Sequence, residues 1–249
     1  MTAPVLRATG LAQSFGARTL YHDVGFEVAS GEVFVILGGS GCGKSTLLRQ
    51  CIGLLAPTAG RVELLGSDIF AAAAPARDAV LRRIGVMFQS GALFGSMTLL
   101  ENVMLPLEVH TDLPPQARSR IAQMKLGLVG LADSVALLPA EISGGMTRRA
   151  AIARALALDP PLLFLDEPSA GLDPVTSAGL DRLILDLRRD LGLTFVVVTH
   201  ELASILAIAD RCLMLDRGAQ GVIATGDPKR LRDECEDPKV RAFFRREAA

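Results

Sequence analysis

Near the start of the chain, Gly38-Gly39-Ser40-Gly41-Cys42-Gly43-Lys44-Ser45 has the residue types and spacing that hold a polyphosphate. Glycines let successive backbone N–H groups converge on an anion, and a helix N-terminus adds positive potential. Lys44 can reach the outer phosphates, the Ser45 hydroxyl can ligate Mg²⁺, and Thr46 adds a further phosphate contact. The run follows an apolar stretch, Val33 to Leu37, and opens a helical one at Lys44, which is the context such a loop requires. Elsewhere it would be only a glycine-rich turn. The candidate phosphate-binding residues are therefore Gly38, Ser40, Gly41, Cys42, Gly43, Lys44, Ser45 and Thr46.

A second constellation lies at Leu162-Leu163-Phe164-Leu165-Asp166-Glu167, an apolar run ending in two carboxylates. Such a strand end lies at the ligand edge of an open parallel sheet. Alone, the acidic pair would read as a helix cap or a solvated turn. Paired with a phosphate loop, Asp166 becomes the candidate to hold Mg²⁺, and Glu167 the candidate to polarise an attacking water, because a general base must not be consumed by the metal.

Positioning these residues takes an alternation of strands and helices. Short apolar runs at Val33 to Leu37, Ile84 to Phe88, Leu162 to Leu165, Phe195 to Thr199 and Cys212 to Leu215 predict buried parallel strands. Helices are expected at Lys44 to Ile52, Gly145 to Leu158 and Val175 to Leu191. Residues 5–29 and 60–66 read as extended segments with glycine turns, an antiparallel layer against the main sheet. From about Ser90 to Pro160 the pattern is helical, with Pro114-Pro115 in its middle, and the Ala71 to Ala74 run reads as a helix start or a loop. The charged last twenty or so residues read as helical.

Composition narrows the class. The 249 residues are half apolar, and the formal charge of −1, with no dense basic run, argues against nucleic acid as a partner. The N-terminus lacks the pattern of a secretory signal, and the most apolar windows, such as 150–166, are broken by Arg154, Asp159 and two prolines, so no membrane-spanning segment is expected. Four cysteines, Cys42, Cys51, Cys212 and Cys235, lack the spacing of a zinc site or disulfide framework, which fits a reducing cytoplasm.

The order of the phosphate loop, Gln89, Ile142-Ser143-Gly144-Gly145-Met146, Asp166-Glu167, Ser169 to Asp173 and His200 resembles the nucleotide-binding subunit of ABC transporters across nearly the whole chain. The resemblance implies an α/β fold: a P-loop NTPase core with a mostly parallel sheet, an N-terminal antiparallel β layer and an inserted α-helical subdomain. It further implies one ABC ATPase domain over 1–249, with a RecA-like core and β layer in 1–89 and 160–249 and the helical subdomain in 90–159. ATP and Mg²⁺ are the implied ligands, the metal falling to Ser45, Gln89 and Asp166. By the same resemblance Gln89 senses the metal and the attacking water, His200 contacts the γ-phosphate, Phe15 stacks on adenine, and Ser143, Gly144 and Gly145 face the γ-phosphate held by a second copy, to which Asp173 links. From local sequence alone, His200 also reads as a strand-end cap or packed residue and Phe15 as an ordinary core phenylalanine. Leu93, Phe94, Met97 and Leu99 either line a groove for a membrane partner or belong to the core.

One departure narrows the resemblance. Where most of the family has Gln, this chain has Met146, followed by Thr147-Arg148-Arg149-Ala150. That combination, with Phe88 to Phe94, Leu105-Pro106-Leu107-Glu108 before His110-Thr111, and Asp237 to Arg241, is similar to the ATPases of Mla-type and Mce-type phospholipid transporters. The implied partners are a second copy, an integral-membrane permease, an Mce-domain lipid-binding protein and a small STAS-domain regulator, at the cytoplasmic face of the inner membrane. An ABC ATPase for another cargo, such as amino acids, metal ions or lipoproteins, would share every catalytic residue. A soluble ABC protein working on ribosomes or DNA would instead carry two cassettes or a long coiled-coil insertion, and neither is in the sequence.

Overall fold

The computed structural model describes residues 3–245. Its centre is β3 (Val33–Gly38), buried along its whole length because both faces of a central parallel strand are covered. The pleat sends Val33, Val35 and Leu37 into one core and Phe34 and Ile36 into another. Five more strands complete the sheet: β6 (Ile84–Met87), β7 (Leu162–Asp166), β8 (Thr194–Val198), β9 (Arg211–Asp216) and β10 (Gly221–Gly226), in the order β10-β9-β3-β8-β7-β6. All neighbouring pairs are parallel except β9 with β10. Register aligns the carboxyl ends: Ile36 sits beside Val198, Val198 beside Asp166, and Gly38 beside Leu215. The phosphate loop, the acidic pair and His200 therefore leave the sheet at one edge.

Against the Phe34 and Ile36 face lies a second, antiparallel sheet of β1 (Leu6–Phe15), β2 (Arg18–Val28), β4 (Ala59–Leu64) and β5 (Ser67–Asp68), in the order β2-β1-β4-β5. Leu6, Tyr21, Val24, Phe26 and Val62 from this layer share a core with Leu47 and Leu48 of α1 (Lys44–Cys51). Phe26 and Phe34 stack across the junction with centroids 5.3 Å apart and planes 6° from parallel. At its margin Arg211 pairs with Glu32 and lies over the Phe34 ring, 5.5 Å from its centroid.

The opposite face is covered by helices. Between β6 and β7 come α3 (Leu99–His110), α4 (Pro115–Leu128) and α5 (Gly144–Ala155), followed beyond β7 by α6 (Pro174–Leu191) and beyond β8 by the short α7 (Leu202–Ile208). A Thr98–Glu101 capping box opens α3, and Pro115 occupies the first position of α4, where its missing N–H costs nothing. Leu99, Val103 and Leu126 are fully buried in the same cluster as Val35 and Leu163. Of the four residues weighed between groove and core, Leu99 is thus core, Leu93 and Met97 are half-buried, and Phe94 is exposed. The remaining helices are α2 (Ala74–Leu81), α8 (Pro228–Glu234) and α9 (Pro238–Arg245), the last two in the charged C-terminal stretch. No helix among the described residues is long and apolar enough to cross a membrane.

Phe34 lies between the two layers with no exposed surface. Phe34→Ala should lower the unfolding free energy by about 3–5 kcal/mol, read from urea denaturation, because the stacked Phe26 and the Arg211 guanidinium lose their shared surface together.

Candidate active site

The turn from β3 into α1 brings the loop residues to one cleft of about 360 Å³, where Gly41, Gly43, Lys44, Ser45 and Thr46 face Phe15, Arg18 and Leu20 of the β1–β2 hairpin. Lys44 is 9% exposed, and its ammonium donates to the carbonyls of Gly38 (2.9 Å) and Gly39 (3.1 Å), which holds it beneath the loop. Phe15 is 54% exposed and stands over the cleft, so it is no core phenylalanine. Ser40 and Gly41 are exposed, whereas Cys42 is buried and its thiol pKa is pushed up, first by burial and against the pull of Lys44.

The acidic pair ends β7 as the alternation requires. Ser45 Oγ lies 3.5 Å from Asp166 Oδ1, placing two hard oxygen donors side by side, a set suited to Mg²⁺. The Asp166 pKa is raised, first by burial and then by the Glu167 carboxylate, while Arg49, Ser45 and Lys44 oppose the rise. Glu167 turns through a left-handed conformation, φ 48°, its N–H donating to Val198 O at 2.8 Å. One carboxylate oxygen, Oε1, is 2.8 Å from His200 Nδ1. The other, Oε2, is buried without a protein partner. A buried carboxylate oxygen needs a donor, and a water beside the terminal phosphate would supply one. His200, with its side chain 61% exposed, is therefore neither core nor a simple cap but a group held by Glu167 at the site's rim.

Two predicted groups are not joined to this cluster. Gln89 stands exposed just beyond β6, with no side-chain hydrogen bond to Asp166 or Glu167 among the described residues. Ser143 caps α5, accepting from Met146 N at 3.3 Å, and with Gly144 it is exposed, yet neither borders the Phe15–Thr46 cleft. Gly145 packs instead on α6, where a Cβ would meet Thr176 Cγ2 at 2.5 Å, so a side chain there would have to displace Thr176. Asp173 caps α6, accepting from the N–H groups of Val175 and Thr176 at 3.0 Å each, and its pKa is lowered first by the Thr176 hydroxyl and then by that residue's amide.

Sequence reasoning passed over two residues that shape the loop after Gln89. Arg154, seen only as a charge interrupting an apolar run, donates to Gly91 O (2.9 Å) and Ala92 O (2.7 Å) from the far end of α5. Buried Asn102 accepts from Phe94 N (2.8 Å) and donates to the carbonyls of Phe94, Met97 and Thr98 within 3.1 Å. The available signal was a polar residue at a helix position where the pattern asks for an apolar one.

Comparison with known proteins decides the family. A model described as ABC transporter matches residues 21–170, more than half the chain, including the phosphate loop, Ser143 to Gly145 and the acidic pair. The chain belongs to the ABC transporter family. It is 41% identical over 229 residues, 92% of this chain and 84% of the other, to the intermembrane phospholipid transport system ATP-binding protein MlaF of Escherichia coli K12. It is 39% identical over 248 residues, 100% of this chain and 93% of the other, to the MlaF of Haemophilus influenzae. It is also 40% identical over 239 residues, 96% of this chain, to the probable ribonucleotide transport ATP-binding protein mkl of Mycobacterium tuberculosis, of whose length it spans only 66%. Among solved structures, cbiO1 of Clostridium perfringens superposes with a TM-score of 0.85 at 28% identity, covering 94% of this chain and 93% of that one. A dimeric ATP-binding cassette in a post-hydrolysis state, bound to ADP and Pi, superposes at 0.79 with 30% identity, covering 89% and 98%. This ABC ATPase thus shows the expected α/β fold, with a parallel sheet, an antiparallel layer and helices.

The raised Asp166 pKa carries a sign. Between the ordinary carboxylate value and the raised one, the folded chain binds a proton that the unfolded chain has lost, so stability falls as pH rises through that window and the deficit persists above it. Asp166→Asn removes the half-buried charge. By thermal melting at pH 7 the nucleotide-free variant should melt higher than wild type, while ATP hydrolysis collapses.

Proposed function

We propose that the chain is the ATP-hydrolysing subunit of a phospholipid transporter of the Mla or Mce type, acting as a homodimer on a separate integral-membrane permease at the cytoplasmic face of the inner membrane. The observation that carries the dimer is the division of the site: the exposed, Ser143-capped N-terminus of α5 lies outside the lining of its own nucleotide cleft. A helix N-terminus attracts phosphate, so the cleft it completes belongs to a second copy. Dimeric cassettes among the structural relatives support this. The lipid cargo is supported by the two MlaF relatives, aligned over 84% and 93% of their lengths, and by Met146. The mycobacterial relative, named for ribonucleotide transport, supports a second reading in which another cargo is served by the same catalytic residues. An Mce-domain lipid-binding protein and a STAS-domain regulator complete the proposed assembly.

In this reading the amides from Gly38 to Thr46 and the Lys44 ammonium bind the phosphates, and Phe15 stacks on the base. Ser45 and Asp166, with Gln89 at the rim, hold Mg²⁺, which would neutralise charge on the phosphates. Glu167 Oε2 takes the proton of the attacking water, while His200, fixed through Oε1, faces the γ-phosphate. Moving a dimer from about 1% to about 99% closed takes roughly 5.5 kcal/mol of differential binding, divided here between two nucleotides. The helical segment 90–159 moves as a subdomain against the core, with Asp173 joining the two sites across the dimer. Its motion reaches the permease through the loop after Gln89 and the neighbouring cleft of about 240 Å³ lined by Arg82, Ile84, Pro106, His110 and Leu158.

Glu167→Gln should bind ATP within about threefold of wild type and hydrolyse it at least ~100-fold more slowly. With ATP it should elute as a dimer in gel filtration, whereas Lys44→Ala should lose ATP binding itself. Turnover equal to wild type in both variants would remove the site assignment. Affinity purification of tagged wild type and Glu167→Gln from native membrane, with mass spectrometry of proteins and lipids, tests the cargo. A permease with an Mce-domain protein and enriched phospholipid is expected; a different permease without them would overturn the lipid reading and leave the chemistry standing.

A further inference from the structure

Beneath the phosphate loop lies a continuous chain of polar side chains that the catalytic scheme does not use. Tyr21 of β2 is fully buried and donates its hydroxyl to Gln50 Oε1 at 2.9 Å. Gln50, also fully buried near the end of α1, donates from Nε2 to Gln13 Oε1 at 2.8 Å. Gln13, on β1 directly opposite Tyr21 and 5% exposed, donates onward to Ser14 O at 3.1 Å. Burying three polar side chains in the core shared by the β layer and α1 is costly unless each is satisfied, and here each one is. Among the described residues these are the side-chain hydrogen bonds that join the β1–β2 hairpin to α1.

The chain of bonds is anchored at both ends of the nucleotide cleft. The Tyr21 ring lies directly under the loop: Gly43, the residue preceding α1, has φ 105°, and a Cβ there would stand 2.8 Å from Tyr21 Cδ1. The far end of the chain stops at Ser14, the neighbour of Phe15, where Ser14 N also donates to Thr58 Oγ1 at 3.0 Å. Phe15 and Arg18 pair across the hairpin end and line the cleft opposite Gly43 to Thr46. An aromatic platform on one layer and a phosphate cradle on another must keep a fixed separation if one rigid nucleotide is to touch both.

We propose that Tyr21, Gln50 and Gln13 form a positioning relay that sets the separation between the Phe15 platform and the phosphate loop, and thereby favours a nucleoside triphosphate over bare polyphosphate. This rests on the reading of the Phe15–Thr46 cleft as the nucleotide seat. The relay touches no reacting atom. Its loss should loosen base contact while the loop, whose shape is held by its own glycines and Lys44, still binds phosphate.

The test is isothermal titration of ATP and, separately, of inorganic tripolyphosphate into wild type, Tyr21→Phe, Gln50→Leu and Lys44→Ala, with steady-state ATPase assays and melting temperatures on the same preparations. Tyr21→Phe and Gln50→Leu should weaken ATP by about 5–10-fold, the order expected of a lost buried hydrogen bond, and change tripolyphosphate by less than about twofold. The ATPase KM should rise with kcat at saturating ATP little changed. A merely structural role would lower the melting temperature and leave the ratio of the two affinities where it was. An unchanged ratio in both variants, whether both ligands weaken equally or neither does, overturns the relay and leaves the seat intact. Tripolyphosphate bound undiminished by Lys44→Ala would overturn the seat and this inference with it.

Discussion

The structure depends on how a buried strand can end. β3 is apolar on both faces, yet the backbone amides beyond Gly38 must stop pairing with strands and turn toward a ligand within a few residues. Only a central strand, level in register with β8 and β9, delivers that turn to the same edge as Asp166 and His200. The two cores on either side of β3 keep the edge in place, one tying it to the β layer that bears Phe15 and the other to the helices that bear Ser143.

A second constraint is electrostatic. Three charged groups, Lys44, Asp166 and Glu167, converge on a partly dry region, and each is held differently. Lys44 rests on carbonyls, Asp166 has its negative charge opposed by burial, and Glu167 keeps one oxygen on His200 and the other without a protein donor. Sites with unpaired buried polar atoms are where local stability has been given up for chemistry. The left-handed turn at Glu167 fits the same pattern, since it sets the direction of the carboxylate at the expense of an ordinary strand ending.

Most of the frame was legible in the sequence because its signals are local and strongly periodic. β3, β7 and β8 were apolar runs, and the loop and the acidic pair follow such runs directly. The exposure of Phe15 at the cleft removes its reading as a core phenylalanine, and the exposure of His200 removes its reading as a packed residue. What escaped was set by distant partners. β10 is a strand because it pairs antiparallel with β9 at the sheet edge, and Val222, Ile223 and Ala224 alone do not announce that. Short α7 has only seven residues, too few for a period to show. Leu99 and Phe94 sit five residues apart, yet the first is core and the second exposed, because the Thr98 cap turns the chain between them. The Tyr21–Gln50–Gln13 chain spans three elements and has no signature in any of them.

The burial of Cys42 changes how the phosphate loop meets the chemistry of its surroundings. A thiol reacts with peroxides and electrophiles as the thiolate, and burial holds this one in its neutral form despite the lysine two residues on. Cys51 and Cys212 are pushed further in the same direction, to about 12. Half-buried Cys235, away from the loop, is the thiol most open to attack. Thiol oxidation in this protein would therefore begin in the C-terminal helical stretch, leaving Cys42 in the nucleotide seat unreactive until the fold itself opens.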